Sequence, residues 1–526
     1  MGTDPDINAK ADPQAEVIAF LSDAGNSPRA DAVKRIDTHA AIVFLAGPDA
    51  WKIKRAVKYP FLDFSTLEKR RQACAHEIEV NRANAPQIYL DAVPVTRRPD
   101  GSLEIGGGGE IVEWAVHMTR FDETRTLDRV IEAGPLADTL IDALAHQMVQ
   151  AHARAPVQDA GPWIADLRNY VDQNAEAFAQ YPDLFPAGRA AGLTKASIAA
   201  FDRIRPLLEA RGRAGHVRLC HGDAHLGNIV LVGDQPVLFD AIEFDDVIAT
   251  ADMLYDLAFL LMDLCERGHL HEANRTLNRY LIESRCADHY DGLAALPFFL
   301  MMRAAIRAKV TASRLEFCTD AARAGLVAQV EAYFSAACDF VAPKEPRLIA
   351  VGGLSGTGKS TLAAGIADAV GRAPGAVVLR SDIMRKQLAG VGETDRLPEE
   401  AYSVAASHAV YEELYRTAAR ILETGHSVIA DAVFARQGER DAIAEVGRTA
   451  GAPFTGLWLD APLHVLTARV GARTGDASDA DEEVVRRQAG YDLGDMTWTR
   501  VDASGVPDEA LEQARRILHQ DRIRET

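Results

Sequence analysis

Residues 347–361, RLIAVGGLSGTGKST, constrain the fold more than any other stretch of this 526-residue chain. An apolar run leads into Gly353, and Gly353 to Ser360 satisfies G-x-x-x-x-G-K-[ST]. The run reads as a buried strand and residues 361–370 as a helix, so strand, glycine-rich loop and helix follow in the order this loop requires. The glycines let backbone N–H groups turn toward phosphate oxygens, and the helix amino terminus adds positive potential. Gly353, Ser355, Gly356, Thr357, Gly358 and Thr361 are thus expected to wrap the phosphates of ATP. Lys359 would reach the β- and γ-phosphates, and Ser360 would bind Mg²⁺. An α/β unit with a parallel sheet is the fold that carries such a loop.

The residues that follow point to transfer chemistry. Strand-like runs at 376–379, 427–430 and 454–459 end in Arg380-Ser-Asp382-Ile-Met-Arg385, Asp431 and Asp460-Ala-Pro462. Parallel sheets place ligands beyond the carboxyl ends of their strands, so Lys359, Asp382, Arg385 and Asp431 should converge. The pattern resembles small P-loop kinases such as gluconate kinase, polynucleotide kinase and the zeta-toxin group. That resemblance implies that Asp382 is the base, Arg385 an acceptor or phosphate ligand, and Arg469 and Arg473 lid arginines; Asp431 is expected at the metal. A plain helix N-cap at Asp382 and solvated helix-face charge at the arginines are the bland alternatives.

The earlier part of the chain is organised differently. Short β signals at 40–45, 51–57, 92–95, 103–105 and 111–118 are interrupted by a helical stretch at 65–83. From residue 126 the period is helical, apart from 217–220, 229–232 and 237–239. Within VRLCHGDAHLGNIVLVGDQPVLFD, His221-Gly222-Asp223 is followed by Asn228, and a hairpin leads to Asp240. Phosphoryl transfer needs a carboxylate to orient and deprotonate the attacking hydroxyl, and hard oxygen ligands to hold Mg²⁺. Asp223 is the expected base, with Asn228 and Asp240 as metal ligands.

These residues resemble the aminoglycoside phosphotransferase and choline-kinase family, whose catalytic loop is typically HGDxxxxN. The likeness spans roughly residues 35–340 and includes ADMLYDLAFLLMDL at 251–264, where Asp256 would brace the catalytic loop. It implies a two-lobed kinase fold binding ATP, with a strand lysine and a helix glutamate. Lys52 is preferred over Lys54 because an apolar residue follows it, and Glu77 over Glu79. No glycine-rich phosphate cover is evident; Gly106–Gly109 reads as a hairpin turn.

Composition limits the partners. There are 57 basic and 76 acidic residues, a formal charge of −19, which disfavours nucleic acid and anionic membrane surfaces. No apolar stretch approaches the roughly 20 residues that span a bilayer. The first residues, MGTDPDINAKADPQ, lack the basic and apolar regions of an export signal. Six scattered cysteines form no CxxC pair, and a cytoplasmic protein is expected. VAPKEP at 341–346 places a boundary near residue 343. The expected architecture is an α+β protein-kinase-like two-lobed domain, residues 1–343, then an α/β P-loop NTPase domain with a parallel sheet, residues 344–526. The expected activity is bifunctional: ATP-dependent phosphotransfer to small hydroxyl-bearing acceptors, with a regulatory nucleotide sensor or a polynucleotide-kinase-like enzyme as rivals. No motif fixes either acceptor or the oligomeric state.

Overall fold

The computed structural model of the chain describes residues 13–26, 32–59, 62–316, 318–472 and 477–525. They gather into two compact units, one within residues 1–136, 150–163 and 215–256, the other within 137–149, 164–214 and 257–526. Helices upstream of residue 343 share a unit with the sheet downstream of it.

The first unit is built on β1 (Val33–Asp37), β2 (Ala41–Ala46), β3 (Asp49–Lys54), β4 (Tyr89–Arg97), β5 (Leu103–Ile105) and β6 (Glu110–Thr119). They form an antiparallel sheet in the order β1-β2-β3-β6-β4-β5. Helix α1 (Leu67–Arg82) begins at Thr66, whose hydroxyl accepts from the Lys69 N–H. Its buried residues Arg70, Cys74, Glu77, Ile78 and Asn81 recur at helical spacing and face β4 and β6. On β3, Lys52 and Lys54 stand two residues apart on one face, and Ile53 points into the core on the other.

Gly106–Gly109 does not close a hairpin. β5 and β6 both pair with β4, on its opposite sides, so the four glycines carry the chain past the end of β4. Gly109 runs so close to that strand that a Cβ there would collide with the Arg97 carbonyl. Farther along, β7 (Ile229–Val232) and β8 (Gln235–Leu238) form the expected hairpin. A three-residue strand, Val217–Leu219, pairs with Thr250–Asp252 just before α2 (Met253–Glu266).

The second unit holds α3 (Leu270–Ser284) and a five-stranded parallel sheet. Its strands are β9 (Leu348–Gly353), β10 (Val377–Arg380), β11 (Val428–Asp431), β12 (Phe454–Asp460) and β13 (Thr499–Asp502), in the order β10-β11-β9-β12-β13. Between and after them run α4 (Lys359–Ala367), α5 (Ser381–Leu388), α6 (Val404–Glu423), α7 (Leu463–Gly471), α8 (Glu482–Gln488) and α9 (Pro507–Glu525). Ile349, Val351, Ile429, Leu457 and Leu459 pack on Leu362 and Ile366 of α4 and on Ala510 and Ala514 of α9. Central parallel strands are covered on both faces, which explains their unbroken apolar runs. Trp498 fills another part of this core, its ring centroid 5.2 Å from Phe434 and 5.9 Å from Phe454. Gly352 and Gly456 make room for it: a Cβ on Gly352 would come within 2.9 Å of the indole, and one on Gly456 would collide with it. Among the described residues no helix is long and apolar enough to cross a membrane.

Candidate functional site

In the first unit the sheet brings Lys52 to two carboxylates. Lys52 Nζ lies 2.8 Å from Glu77 Oε1 and 2.8 Å from Asp240 Oδ1. Lys54, fully buried, takes the other Glu77 oxygen at 2.6 Å and also pairs with Glu243. Burial pushes the Glu77 carboxyl up, but the two ammonium groups outweigh burial and hold it well below the usual carboxylate range. Glu79, the alternative to Glu77, points outward with a side chain 81% exposed. Glu243, the partner of Lys54, was not foreseen from sequence; an acidic residue three positions after Asp240 was the one available signal.

Asp240 adopts a left-handed backbone with φ 58°, a conformation that aspartate tolerates better than most residues. Its N–H donates to the Tyr89 hydroxyl at 3.1 Å, and the next N–H, of Ala241, donates to Asn81 Oδ1 at 2.8 Å. Ahead of the hairpin, Asn228 Nδ2 donates to the Asp223 carboxylate at 2.9 Å and to its carbonyl at 3.0 Å. The catalytic loop is held from behind. Buried Asp256 accepts the Gly222 N–H at 2.8 Å and pairs with His152 Nε2 at 3.1 Å. His221 Nε2 lies 3.0 Å from the Phe239 carbonyl, and burial lowers the imidazole pKa, so the ring is neutral and this nitrogen donates. His152 is a further residue that sequence reading missed.

In the second unit, Gly353, Gly356 and Gly358 have φ values of 145°, 86° and 87°, which side chains rarely adopt. Thr357 Oγ1 donates to the Leu354 carbonyl at 2.8 Å, and Lys359 Nζ donates to the same oxygen at 3.1 Å. Ser355 N–H donates to Gln488 Oε1 of α8 at 2.8 Å, a brace on the loop with no local sequence signal. Ser360 Oγ donates to Asp431 Oδ2 at 2.6 Å, and Thr361 follows in the first turn of α4. Parallel register sets Asp431 beside Val351 on one strand and Arg380 on the other, with Arg380 Nε 3.5 Å from Asp431 Oδ2. Burial raises the Asp431 pKa against the opposing pull of Arg380, Lys359 and Ser360.

Asp382 stands in the first turn of α5. Arg385, one turn on, donates to the Ala401 carbonyl at 2.7 Å and stacks 4.9 Å from the Tyr402 ring centre. Asp479 gathers Lys386, the Leu397 N–H and the Tyr402 hydroxyl at 3.1, 3.0 and 2.6 Å. Arg469, expected as a lid arginine, donates to the carbonyls of Ala503 and Gly505 at 2.7 and 2.6 Å, so its guanidinium ties α7 to the segment after β13. Arg473, its expected partner, lies outside the described residues.

Residues 68–296 match the phosphotransferase enzyme family, and residues 348–491 match an AAA domain model. The chain is a kinase-type enzyme in which an aminoglycoside-phosphotransferase-like domain with the protein-kinase-like fold precedes a P-loop kinase domain. It belongs to the same family as the uncharacterized protein Rv2004c of Mycobacterium tuberculosis, with 32% identity over 499 residues, 91% of this chain and 94% of the relative. An uncharacterized protein of Mycobacterium bovis matches to the same extent, at 32% over 499 residues. Similar solved structures include a choline/ethanolamine kinase family protein from Mesorhizobium loti, 16% identical, covering 62% of this chain and 99% of that one at a TM-score of 0.35. A gluconokinase from Sinorhizobium meliloti 1021 is 20% identical over 34% of this chain and 98% of its own, with a TM-score of 0.25.

Proposed function

We propose that the chain is a bifunctional, cytoplasmic ATP-dependent phosphotransferase, each half transferring the γ-phosphate of ATP to a hydroxyl of a small molecule, with the catalytic halves divided near residue 343. The observation that carries this reading is the presence of two assembled sets of phosphate and metal groups: Lys52 between Glu77 and Asp240, and Ser360 on Asp431. The residues fit Mg·ATP. Asn228 with Asp240, and Ser360 with Asp431, are hard oxygen donors of the kind Mg²⁺ takes. Among the described residues nothing lies within 4 Å of where a Cβ on Gly358 would stand, leaving an open cradle at the start of α4. When bound, Mg·ATP supplies the phosphoryl group and neutralises its charge.

In the first half Asp223 orients the acceptor hydroxyl and accepts its proton, its carboxylate held by the Asn228 amide. Lys52, fixed between two carboxylates, offers its charge to the phosphates. In the second half Lys359 supplies the phosphate-facing cation, Asp382 takes the acceptor proton, and Arg385, anchored on Ala401, binds the acceptor. The net charge of −19 favours small molecules over nucleic acid ends.

A metabolite screen for ATP consumption by the natural protein, Asp223→Asn, Lys359→Ala and the double variant tests the reading. Asp223→Asn should lower turnover of the first acceptor about 10²–10⁴-fold with little change in nucleotide affinity. Lys359→Ala should remove the second reaction alone, and the double variant should have neither. Loss of the first reaction in Lys359→Ala would replace two enzymes by one enzyme with a nucleotide sensor. Activity on oligonucleotide ends in place of metabolites would favour the polynucleotide-kinase rival.

A further inference from the structure

β10 is an edge strand, paired with β11 on one side only. The open side of an edge strand presents unpaired N–H and C=O groups that a protein must cover. Here side chains of α3 cover them. Asn278 Oδ1 accepts from the Val378 N–H at 2.7 Å, and Asn278 Nδ2 donates to the Ala376 carbonyl at 3.2 Å. One amide thus answers the carbonyl of one residue and the N–H two residues on, as a residue of a neighbouring strand would. Asn274, one turn earlier, donates to the same Ala376 carbonyl at 3.0 Å, and both asparagines are buried.

The segment after β10 is tied to the same helix. Arg279 Nη1 pairs with Glu393 at 2.8 Å, and Gln387 Nε2 donates to the Ile282 carbonyl at 3.3 Å. Arg285, directly after α3, donates to the Val391 carbonyl at 2.8 Å. The stretch held in this way, residues 376–393, carries Arg380, Asp382 and Arg385. α3 itself lies inside the part of the chain that matches the phosphotransferase family, residues 68–296.

We propose that α3 is a positioning element for the P-loop site: the Asn274 and Asn278 amides complete the edge of its sheet, and with Arg279 they fix the strand and helix that present Asp382 and Arg385 to the acceptor. This rests on reading the P-loop half as a phosphotransferase. The first kinase-like half then has a second use, as part of the acceptor side of the other.

The test uses the full chain carrying Asp223→Asn, so that the first site is silent, and adds Asn278→Ala, Arg279→Ala or Arg279→Lys. Hydrogen exchange is followed by peptide, and phosphate release is followed with Mg·ATP as the only substrate. Asn278→Ala leaves the Val378 N–H without its acceptor, so exchange within 376–393 should rise about tenfold, with 348–353 unchanged. Phosphate release should show a lower kcat with the KM for ATP preserved, because the nucleotide is held by the loop before α4. Arg279→Ala should act in the same direction more weakly, and Arg279→Lys should restore most of the loss. Equal exchange in 376–393 and 348–353, or a KM that rises as kcat falls, overturns the positioning role. If the Asp223→Asn parent releases no phosphate, the phosphotransferase reading of this half fails, and the exchange comparison still decides whether α3 holds the strand.

Discussion

Glu77→Gln probes a buried charge network of the first site. Glu77 lies between Lys52 at 2.8 Å and Lys54 at 2.6 Å, and at an effective dielectric constant of about 20 each contact contributes about 6 kcal/mol before desolvation. Removing one partner of a buried pair costs about 3–5 kcal/mol net, since it strands the remaining charge. Each lysine here keeps a second carboxylate, Asp240 or Glu243. The low end, about 3 kcal/mol, is therefore expected. The chain holds more than one unit, so a whole-chain melting midpoint is a poor measure. Urea unfolding read by hydrogen exchange in β3 and α1 isolates the effect. Because the folded Glu77 carboxyl titrates below the ordinary value of 4.5, its stabilisation is complete above that pH and fades as pH falls beneath it. The gap between natural protein and variant should thus be level near neutrality and narrow on acidification. A loss under about 1 kcal/mol, typical of exposed pairs, or a gap that widens in acid would refute the buried-network account.

Two other expectations concern the P-loop half. Arg469→Ala should cost about 1–3 kcal/mol in urea unfolding, because the Ala503 and Gly505 carbonyls lose a charged donor, with turnover changed little; a fall of about 10³-fold would restore the lid role. Burial raises the Asp431 pKa, so the folded carboxyl holds a proton where the unfolded one has lost it, and its cost to stability appears as pH rises through that window. Asp431→Asn without metal should therefore be at least as stable as the natural protein at neutral pH, the difference vanishing in acid, while Mg²⁺-dependent nucleotide binding is lost; a variant less stable at neutral pH contradicts the sign.

What could be read from the sequence was local. The P-loop and the HGDxxxxN segment each occupy a few consecutive residues, so spacing alone specifies strand, loop and helix. The Glu243, Gln488 and His152 contacts bridge separations of 189, 133 and 104 residues, and no periodicity encodes such partners. β1 and β13 escaped because VKRID and TRVD sit at sheet edges, largely exposed, without apolar alternation. Gly106–Gly109 resembled a turn because turn chemistry is local, whereas the choice of β4 as the shared neighbour belongs to topology. Helical spacing put Arg469 on α7 but could not say which carbonyls its guanidinium would meet.

The aromatic packing around Trp498 bears on how this family can vary. Only Gly353 of the Gly352-Gly353 pair belongs to the phosphate-loop motif; Gly352 and Gly456 are glycine because one indole occupies the space a side chain would need. Related chains with a smaller residue at the position of Trp498 should therefore carry alanine or larger at the two glycine positions, and chains that keep the tryptophan should keep both glycines. Covariation of these three sites would be independent of nucleotide chemistry, so Gly352, though it stands beside the motif, would answer to packing against the tryptophan and not to phosphate binding.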